Sequence, residues 1–295
     1  DNVSIMNNLA NAYLKSDQYE KSEKTYEKTL DESSNNFDAK KGLGDLYLEQ
    51  GNYEEAIDYY NDALSIRADA ETALSLSRAY LESSQLEDAK TELNNLITTN
   101  PYNAEAYMLL GDYYRKKGST DRALEEYREG LARTQAAELR LKLGKRVVEL
   151  APGDIGARFT LAQSYRDQHV YESAIEQYEK ILEETDKDTE KREAHLGLAE
   201  TYMKRTDYEK AKSNYQEGLK LADSAVQKVS FYEGLLKADE GQNGEGNLSE
   251  VGKEALLKIA EININQGSTS TAKEKLERLS NLDPDYKKGR VEELM

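Results

Sequence analysis

Apolar and polar positions along this chain follow the period of a helix face, in short stretches separated by polar turns. The clearest copy spans residues 37–70. It carries Leu43, Gly44 and Tyr47, then Gly51 and Tyr53 at a turn, then Ala56, Tyr60 and Ala63. Places three and four apart share a helix face. The pattern therefore predicts two short amphipathic helices joined by a tight turn, with Leu, Tyr and Ala forming one apolar seam. Small residues in that seam let the two helices approach closely.

The same places recur along the chain. The small residue of each second helix is Ser22, Ala56, Ala89, Ala123, Ala174, Ala211 and Ala272, at spacings of 34, 33, 34, 51, 37 and 61. A bulky residue stands four places later, as in Tyr26, Tyr60, Leu93, Tyr127, Tyr178, Tyr215 and Leu276. In the first helices Leu9, Leu43, Leu76, Leu110, Leu161, Leu198 and Ile259 hold one place, each followed by a small residue. A fixed period of this length marks a repeat array, in which each unit packs on its neighbours.

The combination of Leu-Gly, Tyr, Ala, aromatic, Ala and a closing proline (Pro101, Pro152, Pro284) resembles the tetratricopeptide repeat family. Seven units match, at about 3–36, 37–69, 70–103, 104–136, 155–188, 192–225 and 253–286. The family's early Trp is absent; Tyr107 stands in its place in one copy and Met6 in another. The resemblance implies an all-α fold, an α-α superhelix or solenoid of about seven helix hairpins with a concave groove.

Two stretches break the period. Residues 137–154 are too few for a hairpin, and Leu139, Leu143, Val147 and Leu150 share one face. A single helix ending before Pro152 is predicted there; a sequence lacking some residues at this point is the alternative. Residues 226–239 read as a second single helix, followed by a mobile Gly- and Asn-rich loop at 241–247 and a longer helix from about Ser249 to Gln266. The expected organisation is four repeats over 1–136, an irregular helix over 137–154, a repeat pair over 155–225, and helix, loop and last repeat over 226–295. Residues 286–295 are expected to begin a closing helix. Asp1 falls almost inside the first repeat, so the sequence is expected to be a fragment, with room for a targeting or membrane segment upstream.

Composition narrows the function classes. The net charge of the 295 residues is -17. Binding nucleic acid or an anionic membrane needs a positive face, so both are disfavoured, and no run is apolar enough for direct membrane insertion. With no cysteine there is neither a disulfide framework nor a thiolate metal site. The compartment stays open. His169 and His195 lack any matching ligand set, no phosphate loop or nucleophile motif stands in context, and no strand is predicted. No cofactor or metal is expected, and the chain reads as non-enzymatic. Most of the 21 tyrosines fall on repeat places and read as packing; Tyr102, Tyr107 and Tyr113 lie off or at the edge of that frame and read as more open.

By resemblance, a protein or peptide partner would lie in the groove, against first-helix places beside the seam. Here those are Asn7, Asn11, Lys41, Asp45, Leu74, Arg78, Met108, Asp112, Arg115, Phe159, Gln163, Arg166, Leu196, Glu200, Leu257 and Glu261. Met108 and Phe159 are apolar away from the seam. They suit an anchor pocket, or else packing against the irregular helix between them. Members of the family that hold chaperone C-terminal carboxylates need a Lys, Asn and Arg set over three repeats. Only Asn11 fits, with Gly42, Glu71 and Ser75 at the other places, so that role is rejected. The leading expectation is a protein–protein interaction scaffold. The alternatives are a self-assembling or structural subunit of an envelope or secretion complex, and the regulatory arm of a larger enzyme.

Overall fold

The computed structural model describes residues 2–295, and the described residues are predominantly helical with no strand. The chain divides into two compact units, the first ending at Ala151 and the second running Pro152–Met295. The first unit contains α1 (Asn2–Leu14), α2 (Tyr19–Glu32), α3 (Phe37–Glu49), α4 (Tyr53–Ile66), α5 (Ala70–Glu82), α6 (Leu86–Thr99), α7 (Ala104–Lys116), α8 (Thr120–Arg133) and α9 (Ala137–Leu150). The second contains α10 (Ile155–Asp167), α11 (Tyr171–Glu184), α12 (Asp188–Lys204), α13 (Tyr208–Lys220), α14 (Ala225–Asn243), α15 (Glu250–Asn265), α16 (Thr269–Leu282) and α17 (Lys288–Leu294).

Local chemistry sets each hairpin. The first helices α3, α5, α7 and α10 start on side-chain caps: Asn36, Asp69, Asn103 and Asp154 each accept a hydrogen bond from the backbone three residues on. The turns inside the hairpins share one conformation, a left-handed residue just before the second helix. Gly51, Gly118 and Gly267 supply it without strain, whereas Asp17, Ser84, His169 and Thr206 adopt it with a side chain.

Successive first helices touch one another (α1, α3, α5, α7, α9 in one unit; α10, α12, α14 in the other), whereas successive second helices do not. The closer row is the inner side of a curved stack. In each unit the first helices therefore form the concave wall. The seam residues behind that wall are buried, with Leu43, Tyr60, Tyr127 and Leu143 fully enclosed.

The segment at 137–154 forms the expected single helix, α9, and it ends the inner row of its unit beside α7. The second irregular stretch differs from expectation. Helix α14 is no insertion: it packs on both α12 and α13, in the place of a first helix. Its Gly234 meets the Tyr215 ring as Gly197 meets Tyr178. The sequence hides this because Leu236 stands where the small residue belongs and Asp239 where the tyrosine belongs. Helix α15 pairs with α14 and also serves as first helix to α16. The run at 241–247 also differs, since Gly241 to Asn243 are the last turn of α14. The segment leading from that turn into α15 is tied down. Leu248 is buried, and the enclosed Asp239 carboxylate accepts from the Ser249 backbone N–H (2.7 Å), the Ser249 hydroxyl (2.6 Å) and Asn243 Nδ2 (3.0 Å).

Candidate functional site

Each unit opens a cleft on its inner wall at the first junction of the row. In the first unit Asn7, Asn8 and Asn11 of α1 face Asp38, Lys41 and Asp45 of α3 across a cleft of about 390 Å³. Its floor is the Tyr26 ring, whose hydroxyl end lies against Gly42; a Cβ there would stand 2.2 Å from the ring's Cζ. In the second unit Phe159, Gln163 and Arg166 of α10 face Leu196 and Glu200 of α12 across about 500 Å³. There the Tyr178 ring lies on Gly197, where a Cβ would fall 2.3 Å from Cζ. Counted from the seam leucines, the two clefts use the same places: Asn7 with Phe159, Asn11 with Gln163, Lys41 with Leu196, Asp45 with Glu200, and Tyr26 with Tyr178.

Their chemistry differs. The first cleft is polar. Lys41 Nζ reaches Asp45 at 2.9 Å and Glu71 at 3.2 Å. Burial alone would lower its pKa, but Asp45 and Glu71 outweigh that and hold the ammonium above its ordinary value. The Tyr60 hydroxyl donates to Asp45 at 2.8 Å. Asn7 Nδ2 donates to Asn36 Oδ1 at 3.0 Å, while Asn7 Oδ1 is buried without a partner. The second cleft is part apolar. Phe159 meets Tyr178 edge-on at 6.2 Å, Leu196 faces it, and Arg166 pairs with Glu200 at the end. Burial is the main cause pushing both the Tyr26 and Tyr178 phenols up to about 12.

The remaining expected groove residues brace the wall. Arg78 bridges α5 to Glu105 of α7 at 2.9 Å. Asp112 accepts from the Tyr127 hydroxyl at 2.5 Å and pairs with Arg146 of α9 at 3.0 Å, and Arg115 faces Glu149 at 3.7 Å. Glu261 pairs with Lys258 and Arg290. The two exposed pairs among these, Arg78–Glu105 and Arg115–Glu149, are each worth about 0–1 kcal/mol. Met108 departs from its expected role as an anchor. It is 6% exposed, because α7 lies inside the inner row with a neighbour on each side, whereas Phe159 stands at the start of a row. Leu257 is buried as well. Among the three off-frame tyrosines only Tyr102 is open; Tyr107 and Tyr113 are buried.

Sequence reasoning missed the ring floors of both clefts. It also missed Arg158, which is 4% exposed and bonded to Glu184 (3.0 and 2.8 Å) and Gln177 (3.1 Å). Its place, three before the seam leucine, was the available signal. Among the described residues no cluster of His, Asp or Glu is arranged to hold a metal, and no helix is long and apolar enough to cross a membrane.

Family models described as "Tetratricopeptide repeat" match residues 1–69, 47–98, 74–138 with 159–233, and 254–286. The chain belongs to the tetratricopeptide repeat family. The matched segments leave out 139–158, 234–253 and 287–295, the first two of which overlap the stretches where the period breaks. Among curated relatives, the TPR repeat-containing protein YpiA of Bacillus subtilis is 23% identical over 227 residues, covering 70% of this chain and 53% of YpiA. The human protein O-mannosyl-transferase TMTC1 is 27% identical over 199 residues, covering 67% of this chain and 20% of that protein. The chain thus spans about half the length of the first relative and a fifth of the second. Among solved structures, YrrB, described as a TPR protein with an unusual peptide-binding site, is similar at 23% identity and a TM-score of 0.39, covering 59% of this chain and 82% of its own.

Proposed function

We propose that this tetratricopeptide repeat protein is an interaction scaffold that holds partner segments in its two inner clefts. The observation that carries this reading is the recurrence of one cleft, over a tyrosine floor and at the same helix places, in both units. The first cleft suits a polar stretch of chain, offering amide groups and the Lys41–Asp45 pair. The second suits an apolar side chain set between Phe159, Tyr178 and Leu196, with Arg166 and Glu200 for charged neighbours. Preformed walls leave most of the ordering cost on the partner side. The tetratricopeptide repeat fold is typical of non-enzymatic scaffolds, and the chain is read as one.

The test is peptide display against the whole chain, followed by titration of the selected peptides into Phe159→Asp and Asn11→Ala variants. Phe159→Asp is expected to weaken apolar ligands by about 10-fold or more, the size of an anchor loss, with the unfolding transition preserved. Ligands that bind both variants as tightly as the parent chain would refute the clefts as the binding place.

Self-association is a second reading, supported by an apolar face of α1 that no other described helix covers. Ile5 and Leu9 are 65% and 44% exposed there, at places where Ala39, Ala106, Leu43 and Leu110 are buried. A molar mass that stays constant with concentration in light scattering argues against it.

A further inference from the structure

The outer side of each unit carries troughs between second helices, because those helices do not touch. The floor of each trough is a first helix, and one place on it, three before the seam leucine, supplies a filling side chain. These fillers are Lys40, Tyr107, His195 and Tyr232, and Arg158 holds the same place on α10, which starts its row. Four of these five side chains are held by their own second helix. Lys40 pairs with Asp62 at 2.5 Å, Arg133 lies 4.7 Å over the Tyr107 ring, Arg158 bonds to Gln177 and Glu184, and His195 Nδ1 shares a hydrogen bond with Asn214 at 3.0 Å.

In α5 the filler is Ala73, a methyl group. A trough of about 510 Å³ is left open between α4 and α6, lined by Leu64, Leu76, Leu96, Asn95 and Glu92. The trough over α14, where Tyr232 is present, measures about 400 Å³. Glu92 occupies the place that Gln177 and Asn214 hold on their own second helices. It is half-buried, and no cation among the described residues pairs with it. Burial raises its carboxyl pKa, more than a hydrogen bond from Asn95 lowers it, as expected for a carboxylate set among apolar atoms without a counter-charge. The adjoining outer surface of α4 adds Glu55, Asp58 and Asp62.

We propose that the trough over α5 receives an arginine or lysine carried on an apolar segment of a partner protein, the cation meeting Glu92 and the stem lying on Leu64, Ala73 and Leu96. Arg158 is the template within the chain itself, a guanidinium at the matching place of α10 bonded to Gln177 at the place of Glu92, with the Glu184 carboxylate two turns further along α11. The site lies on the opposite side of the helix row from the inner clefts and does not depend on them.

The test uses the whole chain and a capped 12-residue probe peptide with one arginine between leucines, alongside the same peptide with neutral citrulline. Anisotropy titration is expected to show the arginine peptide binding at least 10-fold more tightly. Glu92→Gln should erase that preference, Ala73→Tyr should erase it by filling the trough, and Phe159→Asp, which strikes the inner cleft, should leave the arginine-over-citrulline preference as it is. A ligand-free arm uses Ala73→Arg, which is expected to raise Tm through a bond to Glu92, the gain vanishing in the double variant with Glu92→Gln. Equal binding of the two peptides, binding of neither, an arginine preference that survives Glu92→Gln, or a lower Tm for Ala73→Arg overturns the proposal.

Discussion

Gly197→Ala puts two effects of similar size against each other. Replacing glycine by alanine inside a helix is worth about 1 kcal/mol in intrinsic preference. Against that, the new Cβ would stand 2.3 Å from Tyr178 Cζ and 2.4 Å from Cε1. Ordinary carbon contacts lie near 3.5–4.0 Å, so the ring has to retreat by about 1 Å. It has little room to do so, because Tyr178 is 1% exposed and Phe159 closes one side of it. Overpacking of this kind costs about 1–3 kcal/mol. The net expectation is a loss of up to about 2 kcal/mol, and a unit of this size loses roughly 2–4 °C in Tm for each. Gly156→Ala in α10 is the control, since the nearest atom to its new Cβ is Asp154 Oδ1 at an ordinary 3.6 Å. That change should leave Tm equal or higher. Calorimetry of both variants, with peptide titration of the second cleft, checks the reasoning. A Gly197→Ala protein as stable as the Gly156→Ala protein would refute it, because the ring would then not be held against the helix.

Asp239→Ala removes an enclosed acceptor of three hydrogen bonds and should cost about 3 kcal/mol; hydrogen exchange is expected to speed up first at Ser249 and the opening turn of α15. Burial raises the Tyr26, Tyr178 and Tyr215 phenols to about 12, against about 10 in an unfolded chain. Their contribution is full below pH 10 and is lost as pH rises from about 10 to about 12. Tyrosinate absorbance and helicity should therefore change together in that window, and ionisation of these rings with helicity intact would contradict the burial. Thr206→Gly relieves a β-branched residue at a φ of 59°, and should raise stability by about 0.5–1 kcal/mol, read from the unfolding midpoint.

The hairpins were legible in the sequence because the seam makes the same demand at every repeat. Leu43, Tyr60 and Ala63 recur wherever a first helix must meet a second. Helix α14 was not legible as a first helix, since Asp239 gives up the tyrosine marker in order to hold the start of α15. The inner places were legible by phase but not by state. Met108 and Phe159 hold the same place, and only their position along the row, inside it or at its start, makes one a packed side chain and the other a cleft wall. Arg78 and Asp112 read equally well as free groove charges until their partners on neighbouring helices are seen. The open trough over α5 was written in the sequence as an alanine among large residues. Its meaning depended on knowing that the large residues are bonded across to the second helix.

The first helices carry neighbouring residues with opposite addresses. Arg158 turns outward to Glu184, while Phe159, one residue on, lines the inner cleft. Lys40 and Lys41 divide in the same way, toward Asp62 and Asp45. A single substitution can therefore retune one surface of a helix and leave the other as it was. Two partners held on the two sides of one repeat would be free to diverge independently, each read by its own residue of an adjacent pair.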